Sequence, residues 1–404
     1  MFLTRAFAIT SVAALLAVGL SAPATAGPPP PPAAPSRVVH DWQRTSMRTI
    51  YPAVDPTPIP VGVLYLGFTS LAMHRAAAAA GRVHGSKEAA VATAAHDVLA
   101  HYFPAASPSL GADLLKSLAA VPDGRTQRRG EAVGARVART LIAQRADDGR
   151  NDTSVVYQRA EAPGVWQPAP DGAMLAPWIA FVRPLVVDRP LPVDGPDALT
   201  SSAYAADYAE VKAYGSVTGS ARTPDQTATA VFFNSNSAVM VGDALLRHLD
   251  ADPLPLAETA RIFAVMHTAM ADALITCWRL KYEVGFWRPV QAIAGAASDG
   301  NPATAPQAGW APLVPNPPYP DYVSGHGCLT APAVQTIRAT LGEKTSLTLH
   351  NIPLNTDVTY PDLTSIEDDA FMARIWGGLH FRDAMEDAYS IGHRAADRAL
   401  VRLR

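Results

Sequence analysis

The chain has 404 residues, with 33 Lys and Arg against 36 Asp and Glu for a net charge of −3. It has no run dense in Lys or Arg, which argues against nucleic acid as a partner and against strong attraction to a membrane surface. Its two cysteines, Cys277 and Cys328, are too few for a disulfide framework; the sequence is compatible with one bridge between them or with two buried thiols.

In chain order, residues 1–26 read as a secretory signal peptide. Arg5 supplies the charge, Ala6 to Leu20 the apolar run, and Ala24-Thr25-Ala26 a small-residue cleavage site. The expected location is therefore secreted or periplasmic. A proline-rich spacer, 27–40, carries "GPPPPPAAPS" and has nothing with which to pack a core. From 41 to 404 a single all-helical domain is expected. No apolar run in it reaches the roughly 18 residues that a membrane span needs, the nearest being "VGVLYLGFTSLAM" at 61–73.

Alanine-rich amphipathic patterns predict helices over 60–80, 86–103, 108–120 and 124–147. Thr223, Pro224 and Gln226 form a helix start with a capping box. Residues 256–282 are apolar on nearly every face, as in a helix surrounded by others. A second capping box, Thr364 with Glu367, predicts a helix running to Arg374, and a last helix is expected from His380 to Leu403 after the Gly377-Gly378 break. The proline-rich stretches 150–195 and 300–322 read as irregular, with short strands at most near "LTLHNI". The fold class is all-α, a helical bundle.

Three segments carry the chemistry. "KYEVGFWRP" (281–289) places Lys281 seven residues before Arg288 and a proline; "YPDYVSGHG" (319–327) contains Ser324-Gly325-His326; "ARIWGGLHFRD" (373–383) places Arg374 six residues before His380. In this order they resemble the three-part signature K-x6-R-P, P-S-G-H, S-R-x5-H-x3-D of the vanadium-dependent haloperoxidase and type 2 phosphatidic acid phosphatase superfamily, in its exported, soluble, haloperoxidase-like branch. "AAHDVLAHYFP" and "SSAYAADYAEVKAYGS" look like the same branch. The chain departs from the signature at Val323, where the family has proline, at Ala373, where it has serine, and at Ala384, where it has the aspartate that orients the histidine. On a helix running from His380, Asp383 lies within about 60° of the histidine direction, and so does Asp387; Asp383 is the expected replacement.

The resemblance implies an oxyanion cradle. Lys281, Arg288 and Arg374 would supply cations, and Ser324 with the Gly325 N–H neutral donors, around vanadate or, in a phosphatase, phosphate. His380 would be the vanadium ligand, or the nucleophile that takes up phosphorus; His326 would act as general acid/base. The implied partners are hydrogen peroxide, a halide and a small organic acceptor. The alternative is a secreted acid phosphatase acting on phosphate esters through a phosphohistidine, and a third reading is an oxyanion-binding protein without turnover. Trp287, Tyr319 and Tyr322 flank the cations and are candidates to shape a pocket.

Overall fold

A computed structural model describes residues 35–189 and 191–404. The expected signal peptide, 1–26, and most of the expected spacer lie outside the described residues. Helix α1 (Arg37–Ile50) begins inside the stretch assigned to the spacer, so helical structure opens at Arg37 and not at residue 41. The reason is local: the prolines end at Pro35, and Val39, Trp42, Met47 and Ile50 then bury one helical face.

Four helices follow where the alanine-rich pattern predicts them. They are α2 (Ile59–Arg82), α3 (Lys87–Tyr102), α4 (Ser107–Ala119) and α5 (Arg125–Gln144). Ser86 caps α3 by accepting the Ala89 N–H at 3.0 Å. Helices α3 and α5 approach so closely that a Cβ on Gly130 would stand 2.3 Å from the Ser86 carbonyl, and one on Gly134 2.4 Å from that of Ala90. Glycine is required at both positions.

After a long irregular segment come α6 (Ser202–Tyr214), α7 (Pro224–Phe232), α8 (Ser237–Ala251) and α9 (Leu256–Val284). The capping box expected at α7 is formed by Thr223 and Gln226. Helix α9 packs against α2 and against two later helices, α11 (Gly327–Leu341) and α13 (Arg382–Arg402). Among the described residues it is the one helix long and apolar enough to cross a membrane, but 89% of its most apolar window is buried within the protein, which makes it a core helix. Gly285, at φ 66°, ends it in the left-handed conformation that favours glycine.

A short α10 (Pro289–Gly295) precedes the irregular segment leading to α11. An antiparallel hairpin, β1 (Leu347–Asn351) with β2 (Thr356–Tyr360), pairs Leu347 with Tyr360. Helix α12 (Leu363–Trp376) then leads through Gly377-Gly378 to α13. The expected Thr364–Glu367 capping box does not form. Asp362 caps α12 instead, accepting the Ser365 N–H at 3.0 Å, while Glu367 pairs with Arg338 and His393. Aspartate is as good a cap as threonine, and here it stands one residue before the helix. The architecture is an all-α bundle with one small hairpin.

Candidate active site

The end of α9, the loop before α11 and the α12–α13 break deliver the three motif segments to one buried place. Lys281 is 0% exposed, Arg288 1% and Arg374 2%. Each is held by backbone carbonyls. Lys281 Nζ donates to the carbonyls of Pro320 (2.7 Å) and Asp321 (2.9 Å). Arg288 donates from Nε to Tyr319 O (2.9 Å) and from Nη1 to Leu379 O (2.9 Å). Arg374 reaches only Phe233 O, at 3.5 Å, and its buried Nε has no partner. The Tyr319 ring lies under two of the cations, 4.9 Å from Lys281 Nζ and 5.0 Å from the Arg288 guanidinium carbon.

Two of these cations, Lys281 and Arg288, lie near one buried carboxylate, Asp321, whose oxygen lies 2.6 Å from His380 Nδ1. Burial pushes Asp321 up to about 7, against the opposing charges of Arg288 and Lys281. Burial, followed by Arg288, Lys281 and Arg374, holds His380 far below the usual histidine range, so its ring is neutral. Arg288 Nη1 stands 3.4 Å from His380 Nε2. Because a guanidinium can only donate, Nε2 keeps its lone pair and the ring proton belongs on Nδ1, facing Asp321.

This overturns the expectation for Asp383. Its carboxylate accepts the Asp197 N–H at 3.2 Å, and its own N–H donates to Asp207 at 2.8 Å. The helical-angle argument fails because α13 begins at Arg382: His380 sits in the non-helical break before it, and no helical wheel connects the two residues. Asp387 accepts the Tyr322 hydroxyl. Ala384 takes part through its backbone, accepting the Ser324 N–H at 2.9 Å. Asp321 was missed although it lies three residues before Ser324, since a loop residue has no periodicity to mark its direction.

Ser324 is fully buried, and its hydroxyl accepts the Gly327 N–H at 3.3 Å. Among the described residues the Gly325 N–H donates to no protein acceptor. His326, partly open to a cleft, has Nε2 3.1 Å from Ser235 O; burial and then Arg374 hold it well below the usual range. Cys277 and Cys328 are buried free thiols, with Cys277 donating to Val323 O at 3.3 Å. Of the flanking aromatics only Tyr319 lines the cleft; Tyr322 is fully buried, and Trp287 packs against Gly295.

Burying a charge without an opposite partner costs several kcal/mol per ion, so three buried cations with one carboxylate beside two of them form a place suited to an anion. The orphaned Arg374 Nε, the spare Gly325 N–H and the Ser324 hydroxyl are donors suited to a tetrahedral oxyanion, and the free Nε2 lone pair to its central atom. Fold and site together define a class: helical bundles built round a buried oxyanion cradle.

Residues 261–404, which contain all three motif segments, match the VCPO second helical-bundle domain. Vanadium chloroperoxidase of Curvularia inaequalis is 34% identical over 91 residues, covering 20% of this chain and 14% of that protein's length. Among solved structures, a bacterial vanadium-dependent iodoperoxidase superposes with a TM-score of 0.74 at 20% identity, covering 91% of this chain and 97% of its own. An apo-type bacterial vanadium-dependent chloroperoxidase gives 0.69 at 16% identity, with 87% and 94% covered. Residues 261–404 are thus similar to a vanadium chloroperoxidase domain, and the chain shares the helical-bundle fold of the vanadium-dependent haloperoxidases.

Proposed function

We propose that the protein is a vanadate-dependent haloperoxidase that uses hydrogen peroxide to oxidise a halide. The observation that carries the oxyanion site is the burial of Lys281, Arg288 and Arg374 together, with the buried Asp321 carboxylate beside Lys281 and Arg288. Vanadate, when bound, supplies the Lewis acid that polarises peroxide toward attack by halide. Lys281, Arg288, Arg374, Ser324 and the Gly325 N–H would hold its oxygens, and His380 Nε2 would be its protein ligand. Asp321, with an oxygen 2.6 Å from Nδ1, would orient the ring that offers this nitrogen.

His326 lines the cleft, and burial followed by Arg374 favours its neutral form, which can take a proton from incoming peroxide. Export from the cytoplasm, resting on residues 1–26, is part of the same proposal and is checked by the N-terminal sequence of protein recovered from the culture medium or periplasm.

The decisive experiment assays metal-free protein with and without orthovanadate, following peroxide-dependent bromination beside phosphate-ester hydrolysis. The expected result is bromination only with vanadate. Ester hydrolysis that vanadate inhibits, with no bromination, would establish the phosphatase instead. Vanadate binding with neither activity would leave an oxyanion-binding protein.

A further inference from the structure

A recess of about 500 Å³ opens where α2, the end of α5 and the irregular segment before α6 meet. It shares no lining residue with the cleft above the cradle. Two arginines from distant parts of the chain line it and converge on one residue. Arg75 donates to the side-chain oxygen of Gln144 at 3.4 Å, and Arg183 to the main-chain carbonyl of Gln144. Among the described residues neither arginine forms an ion pair with a carboxylate. Burial pushes the Arg75 guanidinium below its ordinary value, and no acid opposes the shift.

The negative charge nearby is already spent or stands apart. Asp148 pairs with both Arg145 and Arg150, and Arg145 turns its other donors to the carbonyls of Arg183 and Pro184. Asp147, the acid on the lining, is in no ion pair among the described residues. The end of α5 faces the two guanidiniums, but a helix end carries only about half a negative charge. The segment bearing Arg183 is fixed in place, since the N–H groups of Leu185, Val186 and Val187 donate to the buried Asp272 of α9 at 2.6, 2.9 and 2.8 Å. A guest would meet donors that need little ordering. Leu71, Leu141 and Leu185 make up the apolar part of the lining.

We propose that this recess is a second ligand site, which binds a small organic monocarboxylate with its carboxylate between Arg75 and Arg183 and its apolar body against the three leucines. The volume is that of sites for small organic ligands, roughly 300 to 1,000 Å³. Guanidiniums present forked donors that match the two oxygens of a carboxylate. An inorganic oxyanion would satisfy the arginines and leave the leucines in water; an uncharged ring would cover the leucines and leave the arginines without a counter-charge. Asp147 disfavours a second negative charge on the guest. The proposal does not depend on what the cradle binds or catalyses.

The test uses 2-naphthoate as the probe and 2-naphthalenemethanol as its uncharged counterpart, with binding to the full chain followed by equilibrium dialysis at pH 7. Saturable binding of naphthoate and at least tenfold weaker binding of the alcohol are expected. Arg75→Gln and Arg183→Gln should each weaken naphthoate binding about tenfold. Ala143→Glu adds a carboxylate at an exposed position of the lining, where the fold is not at stake, and should weaken it at least as much. Lys281→Met, which disables the cradle, should bind naphthoate as the wild type does. Loss of binding in Lys281→Met with full binding in Arg75→Gln would place the probe in the cradle and overturn the assignment. Equal binding by wild type and Ala143→Glu, a preference for the alcohol, or no saturable binding at all would overturn it too.

Discussion

His380 Nδ1 and Asp321 Oδ1 lie 2.6 Å apart in a place where neither side chain reaches water. The carboxylate therefore faces the ring nitrogen other than the one Arg288 approaches, and it stands on a different segment from Ala384.

If this pair positions the ring, Asp321→Asn should lower orthovanadate affinity by roughly 10- to 100-fold, the usual cost of losing the partner of a ligating imidazole. Asp383→Asn should change it less than threefold, because Asp383 is engaged with Asp197 and Asp207. Titration of both variants with vanadate, followed by tryptophan fluorescence, separates the two carboxylates. The opposite order would return the role to Asp383.

Removal of a cradle donor should act mainly on the reaction. Arg288→Ala and Arg374→Ala are each expected to cost about 3 kcal/mol in transition-state stabilisation, read from kcat/KM for bromide. His380→Ala should abolish turnover while the far-ultraviolet circular dichroism stays that of a helical bundle. More than a few per cent residual activity would remove His380 from the mechanism.

The cradle should lose anions in mild alkali. Burial pushes Lys281 down to about 8, opposed by the nearby Cys277 and Asp321. An oxyanion binds the ammonium form and raises this value in the complex, so affinity is constant below pH 8 and falls above it, approaching about tenfold per pH unit for loss of one required proton. Sulfate is the suitable probe, since it stays a dianion throughout this range. Calorimetric titrations from pH 7 to 10 should show the break in wild type and none in Lys281→Met, which binds weakly throughout.

Stability should also depend on pH through the start of α13. Burial, with Asp197 adding, raises Asp207 to about 6 and Asp383 to about 7 from the ordinary 3.8. Between pH 4 and 7 the folded state then holds protons that the unfolded chain has released, so their contribution to stability declines as pH rises through that window. Asp207→Asn keeps an acceptor for the Asp383 N–H but removes the charge. It should raise Tm at pH 8 by about 1 to 3 °C, allowing for partial exposure, and leave Tm at pH 4 unchanged. Thermal melts at the two pH values decide the matter.

The segments that deliver the site were legible because each is a fixed spacing of chemically distinctive residues. Lys281 to Arg288, Ser324 to His326 and Arg374 to His380 do converge. Helices with strong caps or long apolar faces, such as α7 and α9, were legible for the same reason. What escaped depends on tertiary approach. Asp321 meets His380 only because the loop before α11 folds against the α12–α13 break, and the carbonyls that hold the cations leave no trace in side-chain type. The error over Asp383 came from extending a helix two residues too far toward its N-terminus.

The cradle gathers its donors from positions 281, 288, 324, 325 and 374, parts of the chain that meet nowhere else in its sequence, in a protein whose two cysteines stay unbridged. An anion bound there is a non-covalent crosslink among α9, the loop before α11, and α12. The loaded protein should therefore resist heat and protease better than the empty one, in proportion to the logarithm of anion concentration over its dissociation constant. In mechanical terms, the anion stands where a disulfide would otherwise be needed.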